Sequence, residues 1–117
     1  FAVDAAEGEQ WRLLHIGGYF NCPGLHTENM LKVAKELRDR GGLISLDPQH
    51  DCTAQWTGTD GHLRRLLALV DVVMPNEVEA MGMSGKADVH EALEALAISY
   101  PSLLIVIKWG EHGALAA

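Results

Sequence analysis

The stretch "DVVMPNEVEA", residues 71–80, joins a short apolar strand to the start of a helix. Its apolar run, residues 72–74, stops at Pro75, and Asn76 follows at a position typical of a helix N-cap. Glu79 stands three residues after Asn76, where the second member of a capping box belongs. A strand that passes directly into a helix is the repeating unit of a βαβ chain, so this stretch points to an α/β fold.

Three other apolar runs recur at regular intervals, at residues 12–16, 43–47 and 103–107. None of them alternates apolar with polar residues, which predicts strands buried on both faces, as in a parallel sheet covered by helices. Helical patterns lie between the strands, at residues 27–40, 60–70 and 88–99. This order predicts a Rossmann-like, three-layer αβα sandwich with a mainly parallel sheet and right-handed crossovers.

The two ends of the chain predict that this sandwich is incomplete. The sequence has no initiating methionine, and its last residues, "GALAA" at 113–117, have the pattern of a strand that has just begun. We therefore expect residues 1–117 to be one part of a longer domain.

Composition limits the classes of partner. The net charge of −7, without clustered basic residues, argues against a nucleic-acid backbone or an anionic membrane as the main partner. The longest apolar runs are far too short to span a bilayer, and residues 1–10 lack the basic start of a signal peptide. Two cysteines, Cys22 and Cys52, without a CxxC pair favour a reduced, cytoplasmic protein.

The segments after the strands are the candidates for function, because ligands of parallel sheets bind beyond the carboxyl ends of the strands. In the third segment, Asn76 and Glu79 have two interpretations: a site for Mg²⁺ and phosphate, or a capping box that needs no ligand. In the fourth, "KWGEHG", the glycines Gly110 and Gly113 suit either close approach to a nucleotide or a plain turn. The sequence has no GxGxxG and no Walker A motif.

The segments after the first two strands contain residues with more than one interpretation. After the first strand, Gly17 leaves room for a ligand and Tyr19 could hydrogen-bond a polyol, although a tight turn explains them equally well. After the second strand, Asp47 at the strand end faces a ligand or caps the loop, and the loop matches no standard zinc pattern. His62 and His90 fall on predicted helices, where we expect them to be exposed to solvent.

These segments occur together in an order that resembles the PfkB (ribokinase-like) carbohydrate kinase family. The resemblance runs from about residue 13 to residue 117 and rests on "HIGGYF", "SLDPQHDCTAQW", "LVDVVMPNEVEAMGMSG" and "VIKWGEHGALA". It implies a ribokinase-like fold and ATP-dependent phosphorylation of a sugar or sugar-like hydroxyl, with Mg²⁺. A non-catalytic Rossmann-like ligand-binding module, and a nucleoside or vitamin kinase of the same superfamily, remain the alternatives.

The resemblance also implies roles for single residues. Asn76 and Glu79 match the N-x-x-E motif that organises magnesium and phosphate, with Glu79 acting on the metal through water. The nucleotide site would include Lys108, Gly110 and Gly113, and the substrate edge would include Gly17, Tyr19 and Asp47. In the family's D-x-N-x-R stretch, this sequence has Gln49 for the Asn and Asp51 where an Arg is frequent, which leaves the substrate open.

Two parts of the family's domain would lie outside these residues. Its glycine-rich sugar-binding region and lid would precede Phe1, and its G-A-G-D motif with the catalytic base would follow Ala117. We therefore expect a central kinase fragment with no catalytic residue of its own and no kinase activity by itself. Members of the family often dimerise through the lid, so a homodimer is one possible state of the longer protein.

Overall fold

The structure, a computed structural model, describes residues 11–117; the first ten residues of the expected domain lie outside it. Its strands are β1 Leu13–Gly17, β2 Leu43–Asp47, β3 Val72–Val73, β4 Leu104–Lys108 and β5 Ala114–Ala116. Its α-helices are α1 Glu28–Asp39, α2 His62–Leu67, α3 Glu77–Ser84 and α4 Val89–Ser99. Each predicted strand is present within one residue of its expected bounds.

The strands form one sheet in the order β1-β2-β3-β4-β5. The first four strands are parallel, and β5 runs antiparallel to β4. Strands alternate with helices along the chain until β4, whose turn into β5 makes the sheet mixed. The predicted α/β class with a mainly parallel sheet is therefore confirmed.

The expectation that the strands are buried on both faces is wrong for the residues that the structure describes. Burial alternates along β2 and β4: Ile44 and Ile107 are fully buried, whereas Leu43 and Leu104 are 57 % and 47 % exposed. The reason lies in the strand order. Right-handed crossovers between strands that are adjacent in chain order place the connecting helices on the same face of the sheet. Residues 11–117 thus provide two layers of the expected sandwich.

The helices begin and end where local chemistry dictates. Thr27 caps α1 by accepting a hydrogen bond from the amide of Met30, and Asp88 caps α4 by accepting from the amides of His90 and Glu91. The helix predicted at residues 60–70 is shorter, because residues 59–61 form a 3₁₀ turn before it. No helix between residues 11 and 117 has both the length and the apolar content needed to cross a bilayer.

Trp56 fastens the long loop after β2 to the helical layer. Its ring lies edge-on to Phe20, with the ring centres 5.6 Å apart, and packs against α3 at Gly82. A Cβ atom at Gly82 would overlap Cε2 of the Trp56 ring. The absence of a side chain at this helical position therefore lets the indole approach the helix backbone.

Replacing Gly82 with alanine should destabilise the chain by about 1–3 kcal/mol, because the methyl group displaces the Trp56 ring. Helix propensity alone predicts the opposite sign, a gain of about 1 kcal/mol. Urea unfolding followed by circular dichroism measures the difference. Gly24→Ala is the matched control, since a Cβ atom there meets nothing within 4 Å. Equal stability of the two variants would contradict the packing of Trp56 on α3.

Candidate functional site

The carboxyl ends of the four parallel strands meet at one edge of the sheet. Gly17, the last residue of β1, lies opposite Asp47, the last residue of β2. Beyond β3, Asn76 forms an isolated parallel bridge with Lys108, the last residue of β4. The amide of Lys108 also donates to the carbonyl of Pro75 at 2.8 Å. The structure therefore brings together residues that the sequence places far apart.

Asn76 and Glu79 form a complete capping box at the start of α3. The amide of Glu79 donates to Oδ1 of Asn76 at 2.8 Å, and the amide of Asn76 donates to Oε2 of Glu79 at 2.8 Å. Glu79 is only 4 % exposed, so its carboxylate is held against the helix start. Both bonds of the box predicted from sequence are present, and one of them engages a single oxygen of the Glu79 carboxylate.

Lys108 and Asp47 form an ion pair that spans β3. The Nζ atom of Lys108 lies 2.7 Å from Oδ2 of Asp47. The lysine side chain is 50 % exposed and the aspartate side chain 26 % exposed. Oδ1 of Asp47 is buried and has no hydrogen-bond partner in the part of the chain that the structure describes. The candidate nucleotide residue and the candidate substrate-edge residue are therefore in direct contact.

Gly110 and Gly113 shape the turn between β4 and β5. Gly113 has φ 91° and ψ −122°, a conformation that side chains make unfavourable, and Gly110 has φ 48°. The amide of Trp109 donates to the carbonyl of Gly113 at 2.8 Å, which closes the turn. The turn explains both glycines without a ligand. It also leaves backbone uncovered, because a Cβ atom at either glycine would meet nothing within 4 Å.

The loop after β2 is organised around Asp51. Its carboxylate accepts hydrogen bonds from the amide and hydroxyl of Thr53 and from the amide of Trp56. Burial raises the pKa of Asp51, but these hydrogen bonds outweigh burial and hold the pKa below its usual value. Asp51, one of the two departures from the D-x-N-x-R stretch, thus stabilises the fold of the loop. Four non-glycine residues of this loop have a left-handed backbone: Gln49, Ala54, Trp56 and Asp60.

Tyr19 follows β1, but its side chain points into the protein interior and is not exposed at the carboxyl-end edge. Its side chain is fully buried, and its hydroxyl is 2.7 Å from Nδ1 of His62. The Nε2 atom of His62 donates to the carbonyl of Thr27, so the neutral ring accepts the Tyr19 hydroxyl at Nδ1. The hydroxyl is therefore already bonded within the protein. The polyol contact expected for Tyr19 does not fit this placement.

His62 is buried, so the expectation of a solvent-exposed histidine is wrong; His90 is exposed as expected. A second histidine, His26, stacks on Tyr19 with ring centres 4.2 Å apart and donates from Nε2 to the carbonyl of Tyr19. Its Nδ1 accepts from the amide of Thr59. Residue 62 falls on the apolar face of the predicted helix. Its burial, however, depends on Tyr19 and Thr27, which are 43 and 35 residues away in sequence.

The residues at this edge suit a magnesium ion held largely by phosphate oxygens and water. Among residues 11–117, no three His, Cys, Asp or Glu side chains converge as a metal cage. The oxygen donors of Asn76, Glu79 and Asp47 match the preference of Mg²⁺, which usually keeps several waters and binds proteins through one or two carboxylates. The Lys108 ammonium and the start of α3 add groups that attract phosphate.

The model of a family described as "pfkB family carbohydrate kinase" matches residues 2–117. The chain is 28 % identical over 96 residues to a cytidine kinase of Thermococcus kodakarensis, covering 82 % of this chain and 34 % of that protein. It therefore spans about a third of the length of that curated relative.

Solved structures share the fold. A fructokinase from Vibrio cholerae O395, bound to fructose, ADP and calcium, superposes with a TM-score of 0.71 at 23 % identity, over 96 % of this chain and 37 % of that one. A protein from E. coli described as a putative ribokinase II, in complex with ATP and Mg²⁺, gives a TM-score of 0.68 at 23 % identity, over 91 % and 34 %. At these identities the likeness establishes the ribokinase-like fold.

The buried His62 should make the stability of the chain depend on pH. Burial, chiefly, and the nearby His26 and Arg65 lower the pKa of His62 below its ordinary value of 6.5. The unfolded chain then binds a proton more readily than the folded chain, so stability is fully present above pH 6.5 and falls as the pH drops below it. The slope is at most about 1.4 kcal/mol per pH unit.

Urea unfolding between pH 8 and pH 5 tests this dependence. His62→Gln should flatten the slope in this window, whereas the exposed His90→Gln should keep it. The lowered pKa values of Glu28 and Asp51 act only at lower pH, since the ordinary values are 4.5 and 3.8. An unchanged slope in His62→Gln would show that His62 does not carry the effect.

Proposed function

The chain belongs to the pfkB carbohydrate kinase family, and we propose that it is the central part of an ATP-dependent, Mg²⁺-dependent kinase that phosphorylates a sugar or a sugar-like hydroxyl. The observation that carries the proposal is the pairing of two strand ends. The capping box of Asn76 and Glu79 follows β3 directly, and the bridge from Asn76 to Lys108 places it beside the end of β4.

Each residue of this edge has a physical role in the proposal. Lys108 offers an ammonium group to phosphate oxygens, and the start of α3 offers amides and the positive end of the helix dipole. Gly110 and Gly113 leave the backbone bare, so a nucleotide can approach it closely. Catalysis of phosphoryl transfer depends mainly on such positioning and on electrostatic stabilisation by the protein.

Asn76 and Glu79 would hold the magnesium ion through its water ligands. When bound, the ion would supply positive charge that offsets the charge of the phosphates. The capping box holds both side chains in place before any ligand arrives, because each already receives a backbone N–H. The V. cholerae fructokinase with ADP and calcium, and the E. coli protein with ATP and Mg²⁺, support a nucleotide with a divalent cation.

The acceptor would bind at the ends of β1 and β2. Gly17 and Asp47 lie side by side at the ends of β1 and β2, and we propose that they face the acceptor. Tyr19 supports this edge from below through its contacts with His26 and His62. A nucleoside is the second candidate acceptor, because the curated relative is a cytidine kinase and carries the same segment of the domain.

The remaining parts of the proposal concern the longer protein. We propose that the catalytic base lies outside residues 1–117, so this chain by itself binds nucleotide without transferring phosphate. ATP and one small hydroxyl compound are the proposed partners, with neither nucleic acid nor membrane, and a homodimer is a possible assembly. A cytoplasmic location is supported by the two free cysteines, Cys22 and Cys52.

Isothermal titration calorimetry of the 117-residue chain with ATP and Mg²⁺ tests the nucleotide site. We expect binding, and a loss of about five- to tenfold in affinity for Lys108→Met because a charge-assisted bond to phosphate is removed. Lys86→Met is the matched control, since Lys86 is exposed and lies away from the strand ends. The same chain should not phosphorylate fructose, ribose, adenosine or cytidine. Equal affinity in both lysine variants would contradict the assignment of Lys108.

Glu79→Gln separates the metal role from the capping role. A glutamine carbonyl still accepts the Asn76 amide, so the unfolding free energy should change by less than about 0.5 kcal/mol. In the longer kinase, the Mg²⁺ concentration for half-maximal turnover should rise about tenfold or more. Glu79→Ala loses the box and should cost about 1 kcal/mol of stability. An unchanged Mg²⁺ dependence in Glu79→Gln would leave Glu79 with a structural role alone.

A further inference from the structure

The ion pair between Asp47 and Lys108 has features that a purely structural contact does not require. Its partners are 61 residues apart in sequence and stand on β2 and β4, with β3 between them. Asp47 Oδ2 is 2.7 Å from Lys108 Nζ, but the aspartate's other oxygen, Oδ1, is buried without a hydrogen-bond partner among the described residues. A buried acceptor without a donor lowers stability and calls for an explanation.

The ion pair itself contributes little to the stability of the fold. The lysine side chain is half exposed, and pairs that water reaches contribute little to folding. The backbone already joins these strands, because β3 pairs with β2 on one side and with β4 on the other. The pair is therefore not needed to set the order or the register of the strands.

The location of the pair suggests a different purpose. Lys108 is the cation that the proposed function assigns to phosphate, and the pair holds its Nζ in contact with a carboxylate instead. An incoming phosphate must compete with Asp47 for the same ammonium group. A phosphate that reaches Lys108 also comes close to the negative charge of Asp47, and like charges in a partly desolvated site repel.

We propose that Asp47 is a positioning residue that holds Lys108 at the strand edge and weakens the binding of phosphate groups there. This inference rests on the proposed function, since it takes Lys108 as a ligand of phosphate. It adds a role for Asp47 toward the nucleotide edge, beyond the substrate edge. Removing the charge of Asp47 should therefore improve phosphate binding, a direction that damage to the fold does not produce.

The test is calorimetric titration of the 117-residue chain with sodium pyrophosphate at constant ionic strength, with a chelator present so that no metal takes part. We expect Asp47→Asn to bind pyrophosphate about three- to tenfold more tightly than wild type. Asp39→Asn is the matched control, because Asp39 pairs with Lys35 at 3.5 Å on an exposed helix surface; its affinity should not change. Melting curves confirm that each variant is folded, and Asp47→Ser replaces Asp47→Asn if the latter is unfolded.

The double variant Asp47→Asn with Lys108→Met decides whether the two residues act together. The gain from Asp47→Asn should vanish when Lys108 is absent, so the double variant should bind like Lys108→Met alone. A gain that persists without Lys108, or unchanged or weaker binding in the folded Asp47 variants, would overturn the role of Asp47. If Lys108→Met binds pyrophosphate as well as wild type, or if no variant binds it, the phosphate site of the proposed function fails as well.

Discussion

Parallel pairing makes neighbouring strands end at the same edge of the sheet, and the polar chemistry of this chain depends on that constraint. From β1 to β4 the chain crosses back to the amino-terminal end of the next strand after every strand. The polar segments that follow these strands therefore all lie at the carboxyl-end edge. Residues as distant as Asp47 and Lys108 thereby come within hydrogen-bond distance. Without the parallel register, the capping box after β3 would be a local helix signal and nothing more.

The carboxylates near this edge divide into two groups. Asp51 and Glu79 each accept hydrogen bonds from backbone amides, and they thereby hold a loop and a helix start. Asp47 is different, because one of its oxygens contacts the ammonium group of a half-exposed lysine, and the other has no hydrogen-bond partner among residues 11–117. The first group explains how the edge is built. The last carboxylate is the one whose charge a ligand would encounter.

The sequence predicted those features that arise from neighbouring residues. The capping box and the strand bounds follow from spacing within four or five residues, and the structure contains them. The burial of Tyr19 and His62 could not be predicted this way, because each side chain is buried by residues from distant segments. The exposure of Leu13 and Leu43 was missed for a related reason: an apolar run shows that a strand suits burial, but not which face the described layers cover.

The two interpretations of Glu79, as helix cap and as metal-organising residue, need not compete. A carboxylate carries two oxygens, and the Asn76 amide engages one of them. The bond fixes the rotamer of a side chain that is almost fully buried, so a ligand would meet an oxygen already in position and would not bear the entropy of ordering it. In this arrangement the cap is a precondition for a metal role. The side chain that completes the cap of α3 and the side chain that would bind the waters of a cation are then the same one, used through its two different oxygens.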